Sequence, residues 1–237
     1  MNNNIQKPNN LCIIPARGGS KRIPRKNIRD FLGKPIIAYS IEAALKSDLF
    51  QEVMVSTDDL EIAEVAKKYG AKVPFMRSEE NANDFAGTMD VIREVLDDYK
   101  KLQNKTFQYG CCIYPTAPLI QQSHILNGYK KMVEEKLFSV LPVVAFGYPV
   151  WRGLEFTNSN TVQMVWPENQ NKRSQDLKPV YHDSGQWYWF DIANIKSALF
   201  TVNTGAIILA EEEVQDIDND SDWKMAELKY KFLHNLV

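Results

Sequence analysis

Short apolar runs alternate with amphipathic stretches along this chain of 237 residues, and the alternation restricts the fold more than any other feature. The predicted strands are residues 11–14, 53–56, 72–75, 109–114, 139–145, 186–192 and 206–210. The early runs are apolar throughout, which is typical of parallel strands that helices cover on both faces. Repeated strand–helix–strand units therefore predict an α/β fold, with a single domain built on a doubly wound, mainly parallel sheet.

The predicted helices between these runs carry their own start and stop signals. Pro35 suits the first turn of a helix, where its missing N–H costs nothing. Asp58 or Asp59 can cap the next helix, and Gly70 can end it in the left-handed conformation. A third stretch, residues 91–99, places its apolar side chains on one face.

Two segments depart from this rhythm. Residues 146–180 are rich in Asn, Pro, Gly and aromatic residues and show no helical period. We expect this excursion from the sheet to form a flap or a dimerisation arm. Residues 1–10 are almost wholly polar and are predicted to be a disordered tail, so the domain is predicted to span residues 11–237.

Composition and charge exclude several classes of protein. The net charge of −2 argues against nucleic acid or anionic membrane as a partner. No apolar run approaches the roughly 20 residues that cross a bilayer, and the polar start is unlike a signal peptide. Cys12, Cys111 and Cys112 fit no zinc spacing and are expected to be buried, reduced thiols. We therefore predict a cytoplasmic protein.

A basic, glycine-containing loop follows the first predicted strand. Between Pro15 and Lys34 the chain has one acidic residue, Asp30, and seven basic ones: Arg17, Lys21, Arg22, Arg25, Lys26, Arg29 and Lys34. Gly18 and Gly19 allow backbone N–H groups to face an anion, and Ser20 adds a hydroxyl. The spacing matches neither a Walker P-loop nor a dinucleotide turn. A solvated basic loop is the alternative, but the position after a strand of a doubly wound sheet favours a triphosphate site.

An acidic segment lies near the other end of the chain. Residues 211–222 include seven carboxylates and no basic residue. Asp216 and Asp218 follow a strand-like run, and alternate residues of an extended backbone project to one side. Two such carboxylates suit Mg²⁺, which combines a few hard oxygen ligands with phosphate and water. A solvated charged face is the alternative for this segment.

A series of motifs in chain order resembles the family of CMP-sialic acid synthetases and related sugar cytidylyltransferases, including those for KDO. The motifs are residues 14–27, Ser56-Thr57-Asp58-Asp59, residues 77–88, Pro115-Thr116-Ala117-Pro118-Leu119, Arg173-Ser174-Gln175-Asp176 and Asp216-Ile217-Asp218. The resemblance implies a Rossmann-like nucleotidyltransferase fold that joins CTP to an acidic nine-carbon sugar. It also implies Mg²⁺ as the cofactor and a homodimer as the assembly.

The resemblance further implies roles for individual residues. The nucleotide would be bound by Ala16, Arg17, Gly18, Gly19, Ser20, Lys21, Asn27, Arg77 and Thr88. The metal ligands would be Asp216 and Asp218, which together with Arg17 and Lys21 would carry the catalysis. The expected sugar contacts are Tyr114, Thr116, Arg173, Gln175, Asp176, His182, Asp183 and Gln186. For His182, Asp183 and Gln186 a purely structural role is the alternative.

Departures from the family pattern bear on the sugar. Many sialic acid synthetases have glutamine before the Pro-Thr turn and arginine after it, where this chain has Tyr114 and Ile120. Both changes lose a polar group near the expected sugar pocket. We expect the more apolar neighbours to favour a less hydroxylated sugar, because unmatched buried polar groups cost free energy. This turn, with residues 171–177 and 181–189, resembles the pseudaminic acid branch.

Several alternatives stay open at this point. The sugar could be legionaminic acid, N-acetylneuraminate or KDO, and a catalytically silent nucleotide-binding protein could use the same fold. Trp187, Tyr188 and Trp189 are expected in the core and at an interface, and His124 and His234 on the surface.

Overall fold

The core of the protein is a seven-stranded sheet, seen in a computed structural model that describes residues 8–83, 85–158 and 160–236. The strands are β1 Asn10–Pro15, β2 Asp30–Phe31, β3 Lys34–Pro35, β4 Glu52–Ser56, β5 Tyr109–Ile113, β6 Ser139–Ala145, β7 Leu154–Asn158, β8 Thr161–Met164, β9 Tyr181–Asp183, β10 Trp187–Asp191 and β11 Thr204–Leu209. The helices are α1 Ile36–Ser47, α2 Leu60–Lys68, α3 Glu79–Ala82, α4 Thr88–Gln103, α5 Gln122–Glu134 and α6 Asp220–Leu233.

The central sheet has the strand order β11-β6-β10-β5-β1-β4, with β9 also pairing with β6. β1 is parallel to β4 and β5, and β6 is parallel to β11. β10 runs antiparallel between β5 and β6, and β9 is antiparallel to β6. The predicted α/β fold with a mainly parallel sheet is confirmed, and the reversed β10 is a feature that the sequence pattern did not reveal.

Both faces of the sheet are covered, as the wholly apolar strands predict. In β1, Cys12 and Ile14 belong to the cluster on one face, while Leu11 and Ile13 belong to the cluster on the other. The indoles of Trp187 and Trp189 are fully buried, which confirms the expected core position of these two side chains.

The predicted helix signals act as expected around α2. The Asp59 side chain caps the helix by accepting a hydrogen bond from the Ile62 backbone N–H. Gly70 lies just beyond its end with φ of +93°, a conformation that a side chain would strain. This cap fixes the chain that leaves β4, and the same Asp59 contacts the basic loop described below.

Two predicted boundaries were wrong. Residues 72–75 form no strand of their own and contribute a single parallel bridge between Lys72 and Met54. Pro74, which has no backbone N–H, cannot continue that pairing. The predicted tail overlaps the fold, because Asn10 begins β1 and its side chain donates to the Leu49 carbonyl at 3.0 Å. Residues 1–7 lie outside the described residues.

The excursion, residues 146–180, holds the β7–β8 hairpin and three short 3₁₀ turns. Its two ends meet, since the Phe146 N–H donates to the Val180 carbonyl at 3.0 Å. The hairpin exposes apolar side chains, with Leu154 and Phe156 being 62% and 78% accessible. Within the three described ranges of the chain, no helix combines the length and apolarity needed to cross a membrane.

Candidate active site

A cleft of about 480 Å³ opens beside the carboxyl ends of β1 and β5. The predicted site residues that line it are Arg17, Ser20, Lys21, Asn27, Arg77, Thr88, Tyr114 and Thr116. Gly18 and Gly19 line an adjoining depression together with Arg17 and Lys21. Ala16 is fully buried beneath the cleft and its N–H donates to the Ser56 carbonyl at 2.9 Å. The structure thus brings the predicted nucleotide residues together at the sheet edge where doubly wound folds bind ligands.

The basic loop, residues 15–34, is braced by side chains from elsewhere in the fold. The Gly18 N–H donates to the Asp58 carboxylate at 2.9 Å. The Asn27 amide is buried and donates to the Arg17 carbonyl at 2.9 Å. These contacts hold the loop around the cleft, so Asn27 lines the cleft and supports the loop at the same time.

Gly18 is required by the close approach of Asp59. A Cβ atom at position 18 would lie 2.8 Å from the Asp59 Oδ2 and 3.0 Å from its Cβ. A Cβ atom at Gly19 would meet no atom within 4 Å. The two glycines therefore differ in their tolerance of a side chain. Gly18 must lack one so that Asp59 can pack against it, whereas the space around Gly19 is open.

Arg25 fastens the same loop to the start of α2. Its guanidinium contacts the Asp59 carboxylate, with Nη2 and Oδ1 3.0 Å apart, and also contacts Glu61. The hydrogen bond from Arg25 lowers the pKa of Asp59 to about 2. Asp59 therefore caps α2, anchors the loop and excludes a side chain at Gly18.

Arg77 is a cation at the floor of the cleft. It is 8% exposed, and it donates to the Ser56 hydroxyl at 3.0 Å and to the Ser56 carbonyl at 2.6 Å. Burial lowers the pKa of Arg77, but a guanidinium stays charged at neutral pH. Among the described residues no carboxylate lies within ion-pair distance of it. A buried charge with only neutral acceptors suits an anionic ligand.

A chain of hydroxyl and carboxylate contacts links the cleft to a neighbouring cavity. The Thr88 and Tyr114 hydroxyls are 3.0 Å apart, and the Tyr114 ring packs edge-on against Tyr188. The Tyr188 hydroxyl donates to Asp183, whose other oxygen accepts from the Gly185 N–H at 2.8 Å. Tyr114 therefore keeps a polar group at a position where we expected an apolar neighbour.

The acidic segment meets the basic loop at this edge. The Asp218 carboxylate pairs with Arg22 at 2.8 Å, and Lys26 donates to the Ile217 carbonyl at 2.7 Å. Burial lowers the pKa of Lys26, against the opposing attraction of the Asp218 and Asp216 carboxylates. Since Ile217 is fully buried between them, both carboxylates remain on the solvent side of the backbone.

A second cavity of about 430 Å³ contains Asp216 together with His182 and Asp183. The His182 Nδ1 lies 2.9 Å from the Asp183 carbonyl, and its ring packs against Phe146. Ser184 also lines this cavity, is 2% exposed, and has a hydroxyl with no partner in the described part of the chain. The cavity offers donors and acceptors next to one of the predicted metal ligands.

The donor set for a metal is limited to two carboxylates. Over residues 8–83, 85–158 and 160–236, no group of three or more His, Cys, Asp or Glu side chains could hold a metal ion. Asp216 and Asp218 nevertheless fit Mg²⁺, which binds through one or two protein carboxylates when phosphate and water supply its other ligands.

Comparison with known proteins assigns the chain to a family. The cytidylyltransferase family matches residues 11–198, which is well over half of the chain. The chain belongs to the cytidylyltransferase family.

Two curated relatives resemble this cytidylyltransferase over nearly their whole length. The pseudaminic acid cytidylyltransferase of Campylobacter jejuni is 41% identical over 231 residues, which cover 95% of this chain and 97% of the relative. The CMP-N,N'-diacetyllegionaminic acid synthase of Legionella pneumophila is 36% identical, covering 92% and 94%. A solved structure of CMP:2-keto-3-deoxy-manno-octonic acid synthetase complexed with CTP has a TM-score of 0.68. It covers 96% of this chain and 99% of that one at 17% identity, and shows a shared fold.

Some predicted residues of this cytidylyltransferase lie away from the cleft. Arg173 and Asp176 are exposed on the excursion and pair with each other at 2.8 Å, and Gln175 lies in the turn between them. Gln186 is 3% exposed and donates to the Glu213 carbonyl at 2.6 Å. Ile120 is packed in the core and borders a different groove, so it does not line the cleft.

Other contacts were missed by the sequence analysis. Nothing in the pattern distinguished Arg25 from the other basic residues of its loop, although the capping Asp59 was recognised. His124 was expected on the surface, but its side chain is only 16% exposed and faces Glu213. The signal for His124 was its place in the first turn of α5, directly after the Pro-Thr turn.

Proposed function

We propose that this cytidylyltransferase transfers CMP from CTP to the anomeric hydroxyl of pseudaminic acid, giving the CMP-sugar and pyrophosphate. The observation that carries the proposal is the contact between Arg22 and Asp218, because Arg22 lines the cleft and the contact joins the basic loop to the acidic segment. The identity to a pseudaminic acid cytidylyltransferase supports the choice of sugar. The proposal includes a cytoplasmic location, which the three free, buried cysteines support.

The chain's own residues would bind and align the nucleotide. Nucleotidyl transfer needs an aligned nucleophile and a neutralised triphosphate more than it needs covalent help. Arg17 and Lys21 would hold the phosphates on the basic loop, and Arg77 would supply a charge from the floor of the cleft. The Gly18 N–H already donates to Asp58 and the Ser20 N–H to the Gly18 carbonyl, so we assign phosphate contacts in this turn to the Gly19 N–H and the Ser20 hydroxyl.

Mg²⁺ is part of the proposal, with Asp216 and Asp218 as its protein ligands. When bound it would act as a Lewis acid toward phosphate and the attacking oxygen. Asp218 would also orient the nucleotide through Arg22, and Asp216 would face the sugar, since it borders the second cavity.

The second cavity is the proposed sugar subsite. It combines His182, Asp183 and Asp216 with the Ser184 hydroxyl, which has no partner among the described residues. The resemblance to the pseudaminic acid branch implies a diacetamido, 9-deoxy sugar, which offers fewer hydroxyls than N-acetylneuraminate. The Tyr188 hydroxyl is already paired with Asp183, so this wall presents few unmatched groups to such a sugar.

The excursion is proposed to be a dimerisation arm that completes the sugar subsite of a second copy. Leu154, Phe156 and Val162 are exposed on the hairpin, which is the kind of apolar surface that interfaces cover. Arg173 and Asp176 are exposed on the same excursion and pair with each other, and neither is among the described residues that line the cleft.

A mixing experiment tests the arm. Inactive Arg173→Ala and Asp218→Ala proteins, mixed under conditions of subunit exchange, are expected to regain activity, because hybrid dimers would contain one intact site. Sedimentation measures the dimer itself. A monomer at micromolar concentration, or no recovery despite demonstrated exchange, would contradict the arm.

A substrate panel tests the reaction. Purified protein with CTP and MgCl₂ would be offered pseudaminic acid, legionaminic acid, N-acetylneuraminate and KDO, with pyrophosphate release as the measurement. We expect kcat/KM to be highest with pseudaminic acid. A preference for legionaminic acid would transfer the proposal to that sugar, and no turnover with any of the four would favour a catalytically silent nucleotide-binding protein.

A further inference from the structure

Glu213 joins three parts of the fold, although its neighbours Glu211 and Glu212 are exposed. Its Oε1 accepts from the Gln121 Nε2 at 2.7 Å, and its Oε2 accepts from the Ala210 N–H at 3.0 Å. Its backbone carbonyl accepts from the Gln186 amide at 2.6 Å. The residue therefore ties the start of α5 and the approach to β10 to the acidic segment.

The surroundings of Glu213 are largely shielded from water. Its side chain is 18% exposed, and His124, with Nε2 3.5 Å from Oε1, is 16% exposed. Gln186, which reaches the same turn, is 3% exposed. Hydrogen bonds shielded in this way are stronger and more costly to lose than those on an open surface.

The same turn is held from its other side by α6. The Lys229 ammonium donates to the Glu211 carbonyl at 2.9 Å and to the Val214 carbonyl at 2.7 Å. Val214 and Ile217 are buried, so the backbone between them has little room to move. Asp216 lies in this span, three residues after Glu213.

We propose that Glu213 is a positioning residue that sets Asp216 and Asp218 against the basic loop. The inference rests on the proposed function, because it assigns a metal and CTP to those aspartates. Glu213 itself would contact neither the metal nor CTP, and would act through the backbone of residues 213–218. Gln121 contributes by fixing the Glu213 carboxylate, and Gln186, predicted as a sugar contact, is assigned to this support.

The test compares Glu213→Ala and Gln121→Ala with two controls from the same elements. Glu212→Ala removes the adjacent exposed carboxylate, and Gln122→Ala removes the adjacent exposed amide. Mn²⁺ binding in the presence of CTP is measured by electron paramagnetic resonance, alongside kcat, KM for CTP and the melting temperature. The Mn²⁺ measurement does not depend on turnover.

We expect Glu213→Ala to weaken Mn²⁺ binding about tenfold and to lower kcat by a similar factor, with the KM for CTP within about twofold. Gln121→Ala should show the same pattern at about threefold, and both controls should match the wild type. Glu213→Gln keeps an acceptor for Gln121 and should recover most of the Mn²⁺ affinity.

Several results would overturn the assignment. They are a folded Glu213→Ala protein with wild-type Mn²⁺ affinity, and a Glu213→Gln protein as weak as Glu213→Ala. If Glu213→Ala does not fold, unchanged Mn²⁺ affinity in Gln121→Ala would overturn the assignment instead. Absence of turnover in the wild type would instead count against the proposed function, since Mn²⁺ binding with CTP would still report on Glu213.

Discussion

The basic loop and the excursion both carry motifs of the cytidylyltransferase family, but their own chain supports them differently. The loop is tied down by Asp58, Asp59 and Ile217, which come from distant parts of the sequence. In the excursion, Arg173 pairs with Asp176 only three residues away, and both are exposed. The loop is therefore held in place by contacts with its own chain, whereas the motif residues of the excursion are exposed to solvent.

The difference teaches that the two substrates depend on different degrees of preorganisation. Arg17, Lys21 and Arg77 already surround one cleft, so under the proposed function little further ordering of these side chains is needed to bind CTP. The excursion residues would have to be brought to a site by assembly. Variants in the two regions should accordingly behave in different ways.

The largest effect is expected at the point where the loop meets the acidic segment. Asp218→Ala should lower turnover about 10³-fold without changing the melting temperature, because it removes a proposed metal ligand from a partly exposed position. Steady-state pyrophosphate release measures the loss. Asp220→Ala is the control, since that carboxylate is exposed and pairs with Arg29. Turnover within tenfold of the wild type would contradict a metal site opposite the basic loop, and with it the view that the loop is a preorganised part of the active site.

A smaller loss is expected on the floor of the cleft. Arg77→Gln should raise the KM for CTP about 30-fold, because it removes a buried charge whose side-chain hydrogen bonds, among the described residues, reach only Ser56. Isothermal titration with CTP checks the binding directly, and the KM for the sugar should stay within about threefold. An equal rise in KM for CTP and for the sugar would show that Arg77 does not act on CTP alone, and would contradict separate CTP and sugar regions of the site.

Gly18 and Gly19, which are neighbours in the basic loop, are expected to respond differently to substitution by alanine. Gly18→Ala should lower kcat/KM for CTP about tenfold, because the new Cβ would collide with Asp59. Gly19→Ala should stay within about twofold, since open space surrounds that position. Matched kinetics of the two variants provide the measurement. Equal behaviour would mean that packing against Asp59 does not shape the loop.

The bracing of the loop should also appear in the pH dependence of stability. Arg25 lowers the pKa of Asp59 to about 2, below that of an aspartate in the unfolded chain. The ionised carboxylate therefore stabilises the fold above about pH 4, and this contribution is lost as the pH falls from 4 toward 2. Asp59→Asn keeps a helix-capping residue and should lower the free energy of unfolding by about 1–2 kcal/mol at pH 7.

Urea unfolding of Asp59→Asn and the wild type at pH 7, 5 and 3 measures that difference. We expect it to be the same at pH 7 and 5 and smaller at pH 3. A difference that does not change with pH would show that the Arg25 contact does not brace the loop through charge.

The smallest effect on stability is expected in the excursion. Arg173→Ala should change the free energy of unfolding by less than about 0.5 kcal/mol, because the ion pair with Asp176 is exposed and local. Urea unfolding at a low protein concentration is the measurement. A loss of several kcal/mol would show that the excursion is as firmly integrated as the basic loop.

Local sequence signals predicted most of the helices and strands. They failed where contacts with distant parts of the chain determine strand direction or pairing. The apolar runs and the Asp59 cap identified β1, β4 and α2, because burial and capping leave periodic traces in sequence. The direction of β10 left no trace, since a buried strand has the same composition in either orientation. Residues 72–75 have strand-like composition, but Pro74 and the path of the chain allow only one bridge.

The site divides in the same way. Arg17, Lys21, Arg77 and Thr88 line one cleft, as expected from motifs that follow strand ends. The brace between Arg25 and Asp59 and the contacts of Glu213 join residues far apart in the sequence, and no local pattern encodes such pairs. The Gln186 amide donates to the Glu213 carbonyl, a contact that fits the structural role given above as the alternative to a sugar contact.

The meeting of the two ends of the excursion has a consequence for how sugar choice can change. Ala145 at the end of β6 and Tyr181 at the start of β9 are register partners, and Phe146 is bonded to Val180 beside them. Everything between these points leaves and rejoins the sheet at one spot, so it can be lengthened or exchanged without shifting any central strand. If the excursion completes the sugar subsite as proposed, replacing it with the corresponding segment of a relative should change the acceptor and leave the nucleotide cleft as it is.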